Sequence, residues 1–311
     1  MKILLTGGAG FIGSHLLERL IARGDDVAVI DDFNDYYDPA IKRGNLPKGG
    51  FRLHERDIRN AADLVAGEKP DLVVHLAARA GVRPSQAQPA LYESVNVAGT
   101  LGLLEACRAS GVGRFVFASS SSVYGNAAVP FREDDETVKP ISFYGATKLL
   151  GEHYIRIYSH LYGIRATCLR FFTAYGPRQR PDMAIHAFTA AISQGREIPM
   201  FGDGTTERDY TYITDIVEGV LGAIDHPEPF GVYNLGESRT IPLRSLIELL
   251  GRTVGREPKI KVMPDQPGDV KRTFAAIDRA RERLGYAPKV AIEEGIRRFV
   301  EWYRARQPGL K

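Results

Sequence analysis

The sequence predicts an α/β protein, a doubly wound parallel sheet with a smaller C-terminal α/β region, and three observations predict it. Short strands apolar on both faces recur through the first 176 residues, helical segments separate them, and a glycine-rich turn joins the first strand to the first helix. Strands with two apolar faces need helices above and below them, which is the parallel arrangement.

The elements follow in order. Lys2 to Thr6 forms a short strand, then comes the glycine turn, then a helix from Ser14 to Arg23 closed by Gly24. A second apolar strand, Val27 to Ile30, ends in Asp31 and Asp32. Further buried strands are expected at Asp71 to His75, Arg114 to Ala118 and Ala166 to Arg170, with helices around Val97 to Ala109 and Tyr144 to Leu161. The run 31–48, rich in Asp, Tyr and Asn, carries no period that assigns it structure. Beyond Gly176 prolines punctuate short elements, as expected of a smaller unit. The expected division is 1–173 plus about 210–237 for a dinucleotide-binding domain, and about 174–209 plus 238–311 for a substrate domain.

Composition narrows the function. With 311 residues, 44% of them hydrophobic and 25% charged, the chain can bury a real core, which excludes a disordered or collagenous protein. A net charge of +3, evenly mixed, gives no general nucleic-acid surface. Cys107 and Cys168 lie in apolar stretches, so a disulfide framework, a CxxC pair and a cysteine-rich zinc site are excluded and a reducing cytoplasm is expected. No run of 18 apolar residues suggests a membrane span, and the histidines show no metal spacing. The expectation is a soluble protein without a metal, with His75 packing at a strand end beneath a cofactor and Trp302 in the core of the last helix.

Two constellations carry chemistry. Gly7, Gly10 and Gly13 form GxxGxxG between strand and helix, where absent side chains let a pyrophosphate approach backbone N–H groups and the positive helix end. Asp31 follows 18 residues beyond Gly13, at the end of the second strand, where a ribose 2′-hydroxyl would be held. A carboxylate there would repel a 2′-phosphate, so NAD is expected rather than NADP. Asp57 is either an adenine contact or a solvated turn residue. In the second constellation, Tyr144 and Lys148 are spaced i, i+4 on one helix face, where the cation favours phenolate and makes the phenol a proton shuttle. The four serines 119–122 follow a strand, at the end of the sheet where ligands bind, so a hydroxyl there can hold a substrate oxygen.

Together GGAGFIG, Asp31, HLAA at 75–78, Asn96 in VNVAGT, SSSSVYG, YGATK and RFFTAYGP at 170–177 resemble the extended short-chain dehydrogenase/reductase family, in particular its nucleotide-sugar epimerases and dehydratases. The resemblance spans nearly the whole chain and implies a Rossmann domain binding NAD. It assigns the cofactor to Gly7, Gly10, Phe11, Ile12, Gly13, Asp31, Asp32, Asn34, Asp57, Ile58, Leu76, Ala77, Ala78, Asn96, Ser119, Tyr144, Lys148 and Phe171. The implied catalytic set is Ser120, Tyr144 and Lys148, with Ser122 as a helper. The sugar nucleotide falls to Arg83, Ser120, Ser121, Ser122, Tyr144, Thr173, Met183, Arg180, Arg208 and Asp269. Of these, Arg208 would pair with the diphosphate.

The loop after the fourth of these strands, Arg114 to Ala118, chooses among the family's reactions. Its dehydratases carry an Asp-Glu pair there and its UDP-glucuronate decarboxylases a Glu, whereas this chain has Ser121 and Ser122, which leaves an epimerase. In that scheme Tyr144 takes the C4 hydroxyl proton while hydride passes to NAD, and the 4-keto sugar turns over and receives hydride on its other face. The run GPRQRPDMA at 176–184, AGVR at 80–83 and Thr173 resemble UDP-glucuronate 4-epimerases, which implies a carboxylate at C5 and a UDP-galacturonate product. A solvated basic loop is the alternative for Arg178 and Arg180, and a UDP-glucose/UDP-galactose 4-epimerase is the near alternative for the whole. A non-catalytic NAD-sensing module predicts a broken tyrosine-lysine pair, and here the pair is intact. Gln266 stands where galactose-type relatives carry a second phosphate-binding arginine, leaving Arg272 as the substitute. Surplus apolar residues on 144–162 call for a partner surface, either an intramolecular contact or, with 97–109, the four-helix homodimer interface that the resemblance implies.

Overall fold

The computed structural model describes residues 1–264 and 270–306. Strands run β1 (Lys2–Thr6), β2 (Asp26–Asp31), β3 (Phe51–Glu55), β4 (Leu72–His75), β5 (Arg114–Ser120), β6 (Arg165–Phe171), β7 (Thr173–Tyr175), β8 (Glu197–Phe201), β9 (Glu207–Arg208), β10 (Tyr210–Tyr212), β11 (Phe230–Leu235), β12 (Ile241–Pro242) and β13 (Lys259–Met263). Helices run α1 (Phe11–Ala22), α2 (Pro39–Asn45), α3 (Ala62–Glu68), α4 (Val82–Ala87), α5 (Pro89–Tyr92), α6 (Gly99–Ser110), α7 (Phe143–Tyr162), α8 (Ala184–Ser193), α9 (Ile213–Asp225), α10 (Leu243–Val254), α11 (Asp278–Leu284) and α12 (Ile292–Arg306).

Seven strands form one parallel sheet in the order β11-β6-β5-β4-β1-β2-β3. The order reverses between β1 and β4, so the strand ends open a crevice there, where ligands of such sheets bind. The expected doubly wound parallel fold is what forms. Alternation along each strand explains its two apolar faces: Leu4, Ile30, Val73 and Phe117 pack with Leu104, Cys107 and Ile155 on one side, while Ile3, Leu5, Val29 and Val74 pack with Leu16, Leu20 and Ile216 on the other. The later chain adds three two-stranded pairs, β7 with β10 and β8 with β13 in parallel and β9 with β12 antiparallel, packed with α8, α10 and α12.

Several boundaries differ from the sequence reading, each for a local reason. Helix α1 begins at Phe11 rather than Ser14, because the glycine turn already ends at its N-cap Gly10. Strand β5 extends through Ser120, its pairing with β6 reaching Phe171. The α-helix expected from Val97 begins at Gly99, after a π-helical turn over Glu93–Ala98 that widens the backbone around Asn96. The unassigned run 31–48 contains α2, capped by Asp38, which accepts from the Ala40 amide at 2.8 Å, and opened by Pro39. Helix α7 is one residue longer at each end than read, with Ser142 accepting from the Gly145 amide and Gly163 closing it in the left-handed region. Among the described residues no helix is long and apolar enough to cross a membrane.

Candidate active site

A cleft of about 380 Å³ opens at the switch point, lined by the glycine turn, the ends of β2, β4, β5 and β6, and the loop before α8. Gly7 sits at φ +72°, and a Cβ there would meet the Ala77 amide nitrogen at 2.7 Å. A Cβ on Gly13 would lie 2.0 Å from the Gly7 carbonyl oxygen. The turn is therefore closed to side chains, and α1 presents its unpaired first-turn N–H groups where Phe11, Ile12 and Gly13 line the cleft. Asp31 accepts from the Ala9 and Phe33 amides, each at 3.0 Å, which ties β2 to the turn and leaves lone pairs for further donors. Burial pushes its carboxyl up, while those two N–H bonds and the Lys42 charge oppose the shift. A cradle without side chains beside a carboxylate suits a dinucleotide whose adenosine ribose keeps its 2′-hydroxyl.

On the far wall β5 divides its serines by face. The Ser119 hydroxyl donates to Glu152, whereas the Ser120 hydroxyl bonds to Ser122 Oγ at 3.1 Å and accepts from the Ser122 amide at 3.1 Å. Tyr144 and Lys148 both line the cleft from α7. Lys148 Nζ donates to the Ala118 carbonyl at 2.7 Å and lies 5.9 Å from the Tyr144 ring centroid. Burial draws the lysine down to about 7, opposed by Glu152. Burial pushes the Tyr144 phenol up, while hydrogen bonding with Ser120 and the Arg180 charge pull it back. Such a phenol has little intrinsic tendency to ionise, so its use as a base depends on nearby positive charge.

Arg180 enters the same cleft, with Nε and Nη2 each 2.9 Å from an Asp182 oxygen and its guanidinium over the Tyr36 ring at 5.1 Å. Burial works against its charge, but the hydrogen bond and charge of Asp182, together with the Tyr36 and Tyr144 phenols, outweigh that and hold it protonated. Arg178 turns away onto Glu18 of α1.

Most of the expected site residues border this one cleft: Asp32, Asn34, Asp57, Ile58, Leu76, Ala77, Ala78, Phe171, Ser121, Thr173 and Met183 join those already described. Others stand elsewhere. Asn96 is buried and clamps the loop after β4, its Oδ1 accepting from the Arg79 amide at 2.8 Å and its Nδ2 donating to the Arg79 carbonyl at 3.0 Å. Asp57, although it borders the cleft, caps the turn Ile58–Asn60 and pairs with Arg59, so its carboxylate is engaged there. Arg83 stacks over Phe201 at 4.7 Å, and Arg208 donates to the Glu207 carbonyl at 2.9 Å; neither borders the cleft. Arg272 pairs with Glu207 at 2.9 Å. Asp269 and Gln266 lie outside the described residues. His75 is buried as expected, between Thr6 and Thr100, and Trp302 packs against Phe299 at the core's margin.

Sequence reasoning missed Tyr36, Tyr37, Lys42 and Arg79, which also line the cleft. Lys42 bonds to Asn34 through both its carbonyl, at 2.6 Å, and its side chain, at 3.0 Å, and so shapes the loop beyond Asp31. The Asp38-Pro39 cap was a signal that could have found α2 and with it Lys42.

A parallel sheet with a glycine cradle at its switch point and a tyrosine-lysine pair across from it defines a dinucleotide-dependent enzyme of the short-chain dehydrogenase type. The description "NAD dependent epimerase/dehydratase family" matches residues 3–236, and the chain belongs to that family; its cofactor is NAD. It is similar to UDP-glucuronate 4-epimerase 3 of Arabidopsis thaliana, 43% identical over 100% of this chain and 78% of that one. Among solved structures it resembles the UDP-glucuronic acid 4-epimerase of Bacillus cereus in complex with UDP-glucuronic acid and NAD, with a TM-score of 0.92 at 36% identity over 98% of this chain and 100% of that one. It also resembles the UDP-glucose 4-epimerase of Thermus thermophilus in complex with NAD, with a TM-score of 0.90 at 35% identity over 98% and 99%.

Proposed function

We propose that this protein catalyses NAD-dependent 4-epimerisation of a UDP-sugar, converting UDP-glucuronate to UDP-galacturonate. The observation that carries the uronate reading is Arg180, which shares the cleft with Tyr144 closely enough for its charge to act on the phenol. A carboxylate on C5 is attached to a carbon adjacent to the reacting C4, so a cation that shares the cleft with the catalytic phenol suits it. The 43% identity to an Arabidopsis UDP-glucuronate 4-epimerase supports the same reading.

Bound NAD supplies the acceptor and donor of the C4 hydride. The chain's own residues supply the proton chemistry and the grip. Tyr144 takes the proton from the C4 hydroxyl and later returns it, and the Lys148 ammonium favours the phenolate on which that depends. Ser120, held by Ser122, offers its hydroxyl to the same oxygen. Among the described residues no carboxylate lines the cleft beside Ser120 to drive elimination. Arg180 pairs with the uronate carboxylate and stabilises its charge in place, which opposes the flow of that charge into the 4-keto ring on which loss of carbon dioxide depends. Gly7, Gly10, Gly13 and Asp31 hold the cofactor, while the parts about 174–209 and 238–311, with Arg83, Arg208, Arg272 and Asp269, would take the nucleotide.

Incubation of the purified protein with UDP-glucuronate, followed by NMR, tests the reading. UDP-galacturonate is the expected product; turnover of UDP-glucose alone would favour the neutral-sugar epimerase, and carbon dioxide or a dehydrated sugar would overturn epimerisation. Two further readings belong here. The exposed apolar face of α7 supports a homodimer through α6 and α7, and the unpaired, buried Cys107 and Cys168 suit a reducing cytoplasm.

A further inference from the structure

Beneath the cleft lies a buried ionic cluster that the reaction scheme leaves unused. Glu152 follows Lys148 by one turn of α7, and both side chains are buried. Side chains at this spacing are neighbours on the helix surface. Glu152 Oε1 receives the Ser119 hydroxyl and Arg170 Nε at 2.9 Å, and Oε2 receives Arg170 Nη2 at 2.8 Å. The Arg170 guanidinium stacks over Tyr124 at 4.7 Å, and its Nη1 has no hydrogen-bond partner. One carboxylate thus stands between two buried cations, in a helix that carries Tyr144 two turns earlier.

We propose that Glu152 is a positioning residue of the active site: it is the counter-charge that keeps Lys148 an ammonium beneath Tyr144, and through Ser119 it fixes the strand end that carries Ser120.

The surroundings of Lys148 leave this role to Glu152. From β4 it faces His75, which is neutral, since burial draws that imidazole down to about 3. From β5 it meets the Ala118 carbonyl and the Phe117 ring, 4.8 Å away, both uncharged. From β6, Arg170 and Cys168 are turned to Glu152 and not to the lysine: Arg170 pairs with its carboxylate at 2.8 Å, and Cys168, whose thiol burial keeps protonated, feels the same charge. Among the described residues Glu152 is the one group that favours the charged lysine. Arg170 is forked onto the carboxylate, which fixes its orientation but also shares its charge. The Ser119 bond adds a mechanical link, because Ser119 and Ser120 are adjacent in β5 and face opposite sides of the sheet.

The inference rests on Tyr144 and Lys148 acting as proposed, so its test reads the tyrosine directly. In NAD-loaded protein, phenolate absorbance is titrated as the difference between each variant and the same variant carrying Tyr144→Phe. Two variants are compared with the unaltered chain: Glu152→Gln, and Glu152→Gln combined with Arg170→Met. In both, the Tyr144 midpoint is expected to rise by about one pH unit or more, a tenfold loss of phenolate at a given pH on the acid limb. The acid limb of kcat/KM for UDP-glucuronate should move with it. A midpoint unchanged in Glu152→Gln overturns the proposal. So does recovery of the original midpoint in the double variant, because Glu152 would then serve only to neutralise Arg170. If the single variant does not fold, the double variant is read alone, since removing both members of a buried pair spares the fold an uncompensated charge. A shifted midpoint with no turnover of UDP-glucuronate would sink the substrate reading and leave this one standing.

Discussion

Arg180, which lines the cleft, forms a forked ion pair with the exposed Asp182, two N–H···O contacts of 2.9 Å each, with Tyr36 stacked on the guanidinium. The pair gives the site a cation that is oriented before any substrate arrives, and one whose charge is already partly answered. A uronate would share Arg180 with Asp182, whereas a neutral sugar would leave the pair as it is.

That relationship sets the first prediction. Arg180→Ala should lower kcat/KM for UDP-glucuronate by about tenfold to a hundredfold, the loss of charge-assisted hydrogen bonds of ~1.5–3 kcal/mol. UDP-glucose, if it is turned over at all, should change much less. Steady-state rates on both sugars check this, and an unaltered rate on the acid removes the carboxylate from the argument.

Tyr144→Phe removes one oxygen from the cleft. Turnover should fall by roughly 10²–10⁴-fold, the usual worth of a positioned acid-base group. NAD should still bind, because Gly7, Gly13 and Asp31 are untouched; retained nicotinamide fluorescence on reduction would show it. Loss of cofactor together with turnover would mean that the ring has a structural role instead.

His75 makes a pH prediction. Thr100 Oγ1 donates to the Asn96 carbonyl at 2.6 Å, so it can only accept from His75 Nε2–H at 3.0 Å, and His75 Nδ1 accepts from Thr6 Oγ1 at 2.7 Å. This network requires the neutral ring. Its folded pKa, about 3, lies below the unfolded value of 6.5. The unfolded chain therefore binds one more proton between those limits. The contribution to stability is full above pH 6.5 and is lost progressively as pH falls towards 3. His75→Gln should flatten the fall of the urea midpoint across that window. A slope identical to that of the unaltered chain would refute the assignment.

The fold and the centre of the site were legible because each rests on a local pattern. GxxGxxG needs only a strand before it and a helix after it, and Tyr144 with Lys148 needs only helical spacing. What escaped the sequence depends on contacts across the chain. Asn96 looks like a cofactor ligand but spends its amide on Arg79, 17 residues away. Tyr36 reaches the site only because its loop folds against Arg180, 144 residues further along. The role of Ser119 shows the same limit: adjacent serines look equivalent until the pleat sends one towards Glu152 and the other towards Ser122.

The outer face of α7 supports the last prediction. Leu150, Ile157 and Leu161 are 38%, 48% and 60% exposed, and with Tyr154 their spacings of 4, 3 and 4 residues place them along one stripe. Beside it on α6, Glu105 accepts from Tyr158 and pairs with Arg108, whose guanidinium covers Tyr162 at 5.3 Å. A monomer would leave this stripe in water, at a cost of about 25 cal/mol for each Å² of apolar surface. A second copy related by a twofold axis would bury it against itself, since such an interface is self-complementary. Ile157→Glu combined with Leu161→Glu places four carboxylates in that contact and should yield a monomer by light scattering, with Tyr144 and the cleft unaltered. A dimer that survives both substitutions would move the interface to another surface.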